Sequence, residues 1–235
     1  MLKERAGLFS TFRGNMSLCV AANGSGERYY EAARRARAFY DAMKAKHPLL
    51  TGQDDTIFAV LLGLSDLDVQ AGAERMAALY RRLRPEFSSG NSVQTLTQVL
   101  ALSGGTDETL LKLFRLRDTL REKGIRLDRT YTLPALGLLA ALPAEADILA
   151  AALAEARDFL RAQKGFGALS VSAQELLLYA AALVSSVHAA GDAKSGVVAA
   201  AVSTGVTNMI IAAQVAMMVA MAAASTSAAA ASASS

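Results

Sequence analysis

Four short segments of this 235-residue chain can be superimposed without gaps, and their spacing constrains the fold more than any other feature. Each segment ends in Lys or Arg, and successive ends lie 40, 37 and 40 positions apart. The segments are 39–44, 79–84, 116–121 and 156–161. Apolar stretches precede them in the same register, as in the match of 60–65 with 98–103. A period near 40 residues with two elements in each unit is typical of helical-hairpin arrays.

The two elements of a unit differ in where their apolar residues lie. The first element is apolar on all sides, so it must be enclosed. The second has one apolar stripe, such as Leu113, Leu116 and Leu120, with charges elsewhere. One hairpin cannot enclose its own first helix, so neighbouring hairpins must stack. The sequence therefore predicts an all-α fold of stacked helical hairpins, an α-solenoid-like array of about ten helices with a period near 40 residues.

Local signals predict where the helices begin and end. Residues 131–165 read as a buried helix, a corner at Pro143 and an amphipathic helix. Thr106 should cap one helix that ends at Gly124, and Ser172 with Glu175 has the spacing of a capping box. Further predicted helices end near Lys46, Leu64, Arg84, Ser103 and Ala189, with Ser65 or Asp66 as the cap of the helix that ends at Arg84. In three second helices an Asp lies three residues before the terminal base, a spacing that puts both charges on one helical face. These combinations are Asp41 with Lys44, Asp118 with Arg121, and Asp158 with Arg161.

These units predict one helical-repeat domain over 1–224 and a frayed Ala/Ser-rich tail over 225–235. The first helix of the domain would be a truncated copy at 10–22, and the last would be 197–224. With 53% hydrophobic residues and 4 Pro the chain is not disordered. The single cysteine, Cys19, excludes an intramolecular disulfide and fits a cytoplasmic location.

Several loop motifs occur in the same order along the chain. They are LTGQDD at 50–55, FSSGNSVQ at 87–94, YTLPALGLLAAL at 131–142 and KGFG at 164–167, followed by an Ala/Ser-rich C-terminus. Together they resemble an uncharacterised bacterial family of all-helical proteins, a domain of unknown function. The resemblance implies a bacterial, cytoplasmic protein and supplies no catalytic residues.

Asp54, Asn91 and Asp128 are spaced by 37 and 37 positions, so each should open a buried helix on the same edge of the array. Packed helices lie about 8–10 Å apart, whereas calcium needs oxygens at about 2.3–2.6 Å, so the three cannot share one ion. We interpret them as helix N-caps. This edge is also the predicted interaction surface, with candidate residues Gly52, Asp54, Asp55, Gly90, Asn91, Asp128, Arg129 and Phe166.

No pattern of catalytic residues stands out. His47 and His188 have no Cys, His or carboxylate at ligand spacing, and Cys19 lies in no nucleophile motif. The glycines at 165 and 167 lack the preceding strand of a phosphate loop. The sequence therefore assigns no catalytic, cofactor-binding or metal-binding residue, and it favours a protein that is not an enzyme.

The second helices are rich in arginine and could form a basic ridge. The arginines are Arg34, Arg35, Arg37, Arg81, Arg82, Arg84, Arg115, Arg117, Arg121, Arg157 and Arg161. Acidic residues are interleaved with them, which is typical of a solvent-exposed surface crossed by salt bridges. The net charge is only +3. Binding of nucleic acid by this ridge is therefore a minor alternative.

Lys194 is the last charged residue, and the stretch 197–224 is longer than the roughly 20 residues that span a bilayer. A membrane anchor at 197–224 is thus an alternative. Ser203, Thr207 and Gln214 fall on one face, however, and the many small residues suit close helix packing or pairing with a second chain. We therefore expect 197–224 to cover the exposed side of the helix at 173–189.

The predicted function is a helical-repeat binding or scaffolding module without catalytic activity or a cofactor. Its expected partner is a protein or peptide on the edge defined above. The first alternative is a membrane-associated protein anchored by 197–224, and the second is a nucleic-acid-binding repeat.

Overall fold

The computed structural model describes residues 29–52 and 55–191. Within these ranges the chain forms eight α-helices and one short 3-10 helix, and no strand. The all-α prediction is confirmed for this part of the chain. The helices predicted at 10–22 and 197–224 lie outside the described residues.

The chain divides into two units, and the first contains the described residues up to Val69. It holds α1, Tyr29–Lys46, and α2, Thr56–Leu64, which pack against each other. Eight of the nine residues of α2 are buried, as expected for a helix that is apolar on all sides. Helix α1 contributes a stripe of small and large apolar residues that includes Ala32, Ala36 and Phe39.

Gly63 lets α1 and α2 approach closely. A Cβ atom at this position would lie 2.5 Å from the backbone nitrogen of Ala36 and 2.6 Å from the carbonyl oxygen of Ala32. Ala32 and Ala36 are themselves small and buried. The backbones of the two helices are therefore in direct contact at this point.

The second unit begins at Gln70 and contains the remaining described helices. They are α3 (Val69–Leu83), α4 (Gly90–Leu102), α5 (Asp107–Glu122), α6 (Leu133–Ala140), α7 (Ala146–Ala162) and α8 (Ala173–Gly191). The first residue of α3, Val69, still belongs to the first unit. The 3-10 helix Arg84–Glu86 follows α3 and includes Pro85, which cannot continue an α-helix.

Helix α6 is the most enclosed element of the second unit. It packs against α4, α5 and α8, and all eight of its residues are buried. Helix α7 packs against α5 and α8. The apolar helix predicted in 131–165 is therefore a central rod, and the amphipathic helix after Pro143 packs on two of the helices that enclose it, α5 and α8.

Most predicted helix ends are confirmed. The hydroxyl of Thr106 accepts the backbone N–H of Thr109 at 3.2 Å and forms a capping box with it. Ser172 and Glu175 form a second box, with bonds of 2.9 and 3.2 Å. Gly124 follows α5 with φ +70°, the left-handed conformation that closes many helices.

The start of α3 differs from the prediction. Ser65 does not cap it: the Ser65 hydroxyl donates to the Leu62 carbonyl at 2.7 Å and so closes α2. Helix α3 then begins at Val69, directly after Asp68. Ser103 makes the equivalent bond to the Leu100 carbonyl at 3.2 Å at the end of α4.

Of the three Asp and terminal-base combinations that share a helical face, Asp118 and Arg121 are in contact, at 3.6 Å. Lys44 and Arg161 bind loop carbonyls instead. The Lys44 ammonium donates to the Thr51 carbonyl at 2.6 Å, and Arg161 donates to the carbonyls of Phe166 and Val171. For these two bases, carbonyls of the loop beyond the helix end accept the hydrogen bonds in place of the carboxylate one turn earlier.

Substitution of Gly63 by Ala should destabilise the protein. Alanine is favoured over glycine in a helix by about 1 kcal/mol, but overpacking costs about 1–3 kcal/mol, and here backbone atoms must move. We expect a net loss of at least about 1 kcal/mol in the free energy of unfolding, measured by urea titration.

Two other glycine-to-alanine variants serve as controls for the expected loss of stability. In Gly137→Ala the new Cβ would clash with the terminal methyl group of the Leu96 side chain, which can move more easily than backbone atoms, and in Gly167→Ala it would meet open space. The loss should therefore fall in the order Gly63, Gly137, Gly167. A Gly63→Ala protein as stable as Gly167→Ala would contradict the close contact of α1 with α2.

Candidate functional site

Two loops that precede buried helices meet in the second unit. The hydroxyl of Ser92, in the first turn of α4, donates to the Thr130 carbonyl at 2.6 Å, across 38 positions of sequence. Ser92 is buried, whereas Asn91, Arg129 and Thr130 are exposed. Tyr131 is also exposed, at 41% of its surface. The edge therefore has a part-buried hydrogen bond and exposed polar and aromatic side chains beside it.

The structure places four of the candidate edge residues beside this hydrogen bond along the chain. Gly90 and Asn91 open α4, and Asp128 and Arg129 precede Thr130.

The other candidates lie elsewhere. In the first unit the Asp55 carboxylate accepts the Gly52 N–H at 2.8 Å, and Asp55 is buried. Asp54 lies outside the described residues. Phe166 lies in the turn between α7 and α8, where its ring packs edge to face on Tyr179 at 5.7 Å.

The prediction that Asn91 and Asp128 are N-caps is wrong. The cap of α4 is Ser89, whose side chain accepts the Ser92 N–H at 3.3 Å, and Asn91 lies inside the first turn. The cap position of α6 is Thr132, and its hydroxyl donates to the Leu127 carbonyl at 2.9 Å. Asp128 lies four residues earlier, because two arginines bind it there.

Asp128 is the most buried carboxylate in these ion pairs, with 4% of its side chain exposed. Arg121 Nε donates to it at 2.8 Å and Arg126 Nε at 3.0 Å. Burial raises the pKa of Asp128, but the hydrogen bonds and positive charges of the two arginines outweigh burial, and the net pKa is lowered. The carboxylate is therefore held in its charged form.

Asp128 belongs to a row of alternating charges on α5 and its neighbours. Glu86 pairs with Arg117 at 3.0 Å, Arg117 with Asp118 at 2.8 Å, and Arg121 lies between Asp118 and Asp128. The hydrogen bond to Asp118, followed by that to Glu86, raises the pKa of Arg117 against the opposing effect of burial. The Arg117 guanidinium also lies over the Phe114 ring, 5.0 Å from its centre. This ion-pair row joins the end of α3 to α5 and to the loop that precedes α6.

Other arginines on the surface are also paired with acidic residues. Arg37 pairs with Asp41, Arg82 with Asp107, Arg115 with Asp147 and Arg157 with Asp158. The prediction of a solvent-exposed surface crossed by salt bridges is confirmed for the described helices.

Three basic residues of the second helices bind carbonyl groups at the ends of buried helices. Arg35 donates to the carbonyl of Gly63 in the last turn of α2 and to that of Ser65 directly after it, at 3.0 and 2.8 Å. Arg75 donates to Gly105 in the loop after α4 at 2.6 Å, and Lys112 donates to Leu142 in the loop after α6. The Gly63 carbonyl is one of those at a helix C-terminus that lack partners within the helix and carry partial negative charge, so a cation stabilises it.

Sequence reasoning missed this role. Arg35, Arg75 and Lys112 are 40 and 37 positions apart, the spacing already found in the superimposed segments. That shared spacing was the signal that could have identified them.

Clefts lie beside two of these cations. One of about 390 Å³ is lined by Glu108, Lys112, Arg115 and Glu145 among others, and one of about 140 Å³ by Glu31, Arg35 and Ser65 among others. Burial lowers the pKa of Lys112 although Glu145 and Glu108 act to raise it. The residues that line the larger cleft include no His, Cys or Ser. Its cation is already bound to a carbonyl, so the cleft is part of the helix-end arrangement.

The residues considered for catalysis are not brought together. His47 directly follows α1, and burial lowers its pKa. His188 lies in the last turn of α8, and Cys19 is outside the described residues. Over 29–52 and 55–191, no group of three or more His, Cys, Asp or Glu side chains is placed to hold a metal ion. No helix in those ranges has both the length and the apolar character needed to cross a membrane, and 197–224 lies beyond them.

The described part of the chain thus defines an all-helical protein whose surface arginines pair largely with acids and carbonyls. Residues 22–216 match the family described as "Protein of unknown function (DUF4003)", and the chain belongs to that family. The match confirms the resemblance inferred from the loop motifs. No curated protein and no solved structure matches the chain.

Substitution of Asp128 by Asn should test the ion-pair row. Hydrogen bonds to charged groups contribute about 1.5–3 kcal/mol, but both arginines are partly exposed, so we expect a loss of about 1–2 kcal/mol at pH 7. The matched control is Asp158→Asn, which removes an exposed pair and should leave the free energy of unfolding nearly unchanged.

The same variant should change the pH dependence of stability. The folded pKa of Asp128 lies below its unfolded value, so its contribution is complete above about pH 4 and is lost as the pH falls through the folded pKa. Urea titrations at several pH values should therefore show a smaller acid loss for Asp128→Asn than for the parent protein. Equal acid losses would contradict the assignment.

Proposed function

We propose that this protein is a helical-hairpin array that acts as a binding or scaffolding module, without catalytic activity. Its partner would be a protein or peptide that lies along the edge formed by Asn91, Arg129 and Tyr131, which we call the 91/131 edge. The protein would act in the cytoplasm, where its one cysteine suits a reducing environment.

Equivalent contacts in successive hairpins support the array. Arg35, Arg75 and Lys112 close the ends of successive buried helices. The terminal bases of the four superimposed segments form a second series. Lys44, Arg84 and Arg161 donate to carbonyls of the loop that follows their helix, and Arg121 binds Asp128 in its own following loop. Two independent sets of bonds thus share one period.

Helix packing within the second unit supports the same proposal. The apolar helices form consecutive neighbours, α4 with α6 and α6 with α8, and the amphipathic helices α5 and α7 are also neighbours. This is the two-layer packing expected when hairpins stack in chain order.

The observation that carries the binding proposal is the hydrogen bond from Ser92 to Thr130. It joins the first turn of α4 to the loop before α6, so the edge is continuous over two hairpins. An exposed amide, a guanidinium and a phenol lie on it, and arginine and tyrosine are enriched where proteins contact one another. Nucleic acid is a poorer fit, because a basic surface free of acids is its usual footprint.

Site-specific photo-crosslinking in the native host tests this proposal. A photoreactive residue replaces Asn91 in one variant and Tyr131 in another, and a third variant carries it at Arg81, an exposed position on α3. Both edge positions should give the same discrete protein adduct, and Arg81 should not. Arg129→Glu should abolish the adduct, whereas the matched Arg81→Glu should leave it intact.

Three results would contradict the proposal. These are an adduct that digestion with nuclease removes, equal labelling from Arg81 and the edge, or no adduct from either edge position.

A further inference from the structure

The larger of the two clefts beside the helix-end cations lies between the first half of α5 and the corner that joins α6 to α7. Its volume is about 390 Å³, within the roughly 300–1,000 Å³ of small-molecule sites. Glu108 and Lys112 line it from α5, and Glu145 lines it from the N-cap position of α7. Ala140 and Ala141, at the end of α6, also line it. We call it the 108/145 cleft.

Both cations that line the 108/145 cleft already have a partner in the protein. Lys112 donates to the Leu142 carbonyl, and Arg115 forms a salt bridge with Asp147. An anionic ligand would have to compete with these contacts.

The two carboxylates of the cleft have no such partner within the described part of the chain. Glu108 lies in the first turn of α5, and Glu145 occupies the N-cap position of α7 without capping it. Neither carboxylate accepts a hydrogen bond from a described residue or forms a salt bridge with one. Both are therefore available to a ligand.

The end of α6 supplies two further acceptors. The N–H groups of Ala141 and Leu142 bond back to carbonyls within 137–139, and Pro143 has no N–H. Over 29–52 and 55–191, no donor bonds the carbonyl of Ala140 or Ala141. Carbonyls at this end of a helix carry partial negative charge, so they add to the attraction of the carboxylates for a cation.

The preceding hairpin shows that these carboxylates are not needed to close a buried helix. There Arg75 donates to the Gly105 carbonyl after α4. The residue four positions before Arg75 is Ala71, and the N-cap of the following helix is Thr106. Neither carries a charge, although they correspond to the two carboxylates of the 108/145 cleft. The carboxylates are thus additional to the helix-end arrangement.

We propose that the 108/145 cleft binds an alkylammonium group, carried by a polyamine or by a lysine side chain of another protein. An ammonium group has three N–H donors and no acceptor, and the acceptors of the cleft come from α5, from the end of α6 and from the cap of α7. A guanidinium group, whose donors lie in one plane, fits that arrangement less well.

The apolar part of the cleft suits the methylene chain of such a ligand. Leu111 and Pro143 line the cleft, and both are exposed. Contact with the methylene groups would remove apolar surface of both partners from water. The inference does not depend on the partner proposed for the 91/131 edge.

Amide NMR of the purified full-length protein tests the proposal. Spermidine should cause saturable shifts at amides of 108–115 and 140–146, and so should a blocked pentapeptide with one lysine between glycines. The same peptide with norleucine in place of lysine has the methylene chain without the charge and should cause none. Tighter binding of spermidine would identify a polyamine as the ligand, and equal or tighter binding of the lysine peptide would identify a lysine side chain.

Substitutions test the roles of the charged residues. Glu108→Gln and Glu145→Gln should each weaken the binding of spermidine by about fivefold, as expected for the loss of one exposed ion pair. The matched control Glu155→Gln removes an exposed carboxylate of α7 that does not line the cleft, and it should leave the affinity unchanged. Arg115→Gln should not weaken binding either, because the ligand is a cation.

Several results would overturn the proposal. Equal shifts with the norleucine peptide, or no saturable shift at the cleft, would show that no ammonium group binds there. Parental affinity in both Glu→Gln variants, or an equal loss in Glu155→Gln, would show that the two carboxylates do not form the site. Weaker binding in Arg115→Gln would indicate a ligand with negative charge, and displacement of spermidine by equimolar calcium chloride would indicate a metal site.

Discussion

An eight-residue apolar helix is not stable by itself in water, because isolated helices of that length are only marginally stable even with the best helix-forming residues. Helix α6 exists because α4, α5 and α8 surround it. Its leucines at 133, 136, 138 and 139 are buried, and full burial of such a side chain contributes about 1.5–3 kcal/mol. The enclosure of apolar rods by neighbouring helices is therefore the constraint on which the second unit depends.

The polar contacts follow from that enclosure. A buried helix ends with carbonyl groups that need partners, and Arg35 reaches one of them in the last turn of α2. Arg75 and Lys112 reach carbonyls of the loops directly after α4 and α6. The charged side chains on the solvent side pair with each other, and exposed pairs of this kind contribute at most about 1 kcal/mol each. The pair of Asp128 with Arg121 holds the loop before α6 to α5. The proposed binding edge thus rests on contacts that the packing of the rods already requires.

The sequence predicted the helices and caps that depend on neighbouring residues in the chain or on the burial of apolar side chains. Helix α2 and the caps at Thr106 and Ser172 follow from apolar content and from bonds that span three residues, so they were found without knowledge of neighbours. The errors concern side chains with more than one possible partner. Ser65 closes α2 instead of opening α3, and Asp128 binds two arginines instead of capping α6. The sequence likewise did not show that Lys44 and Arg161 bind loop carbonyls. The bond from Ser92 to Thr130 joins residues far apart in sequence, so the register placed the two loops on one edge but could not reveal their contact.

The most direct test of the account is a cavity in the central rod. Leu136 lies in α6 and is fully buried, so Leu136→Ala should cost about 2–5 kcal/mol. Native-state hydrogen exchange then shows how far that loss spreads. If neighbouring helices enclose one another, amides of α4 and α8 should lose protection together with those of α6. A loss confined to α5 and α6, with α4 and α8 unchanged, would contradict the account.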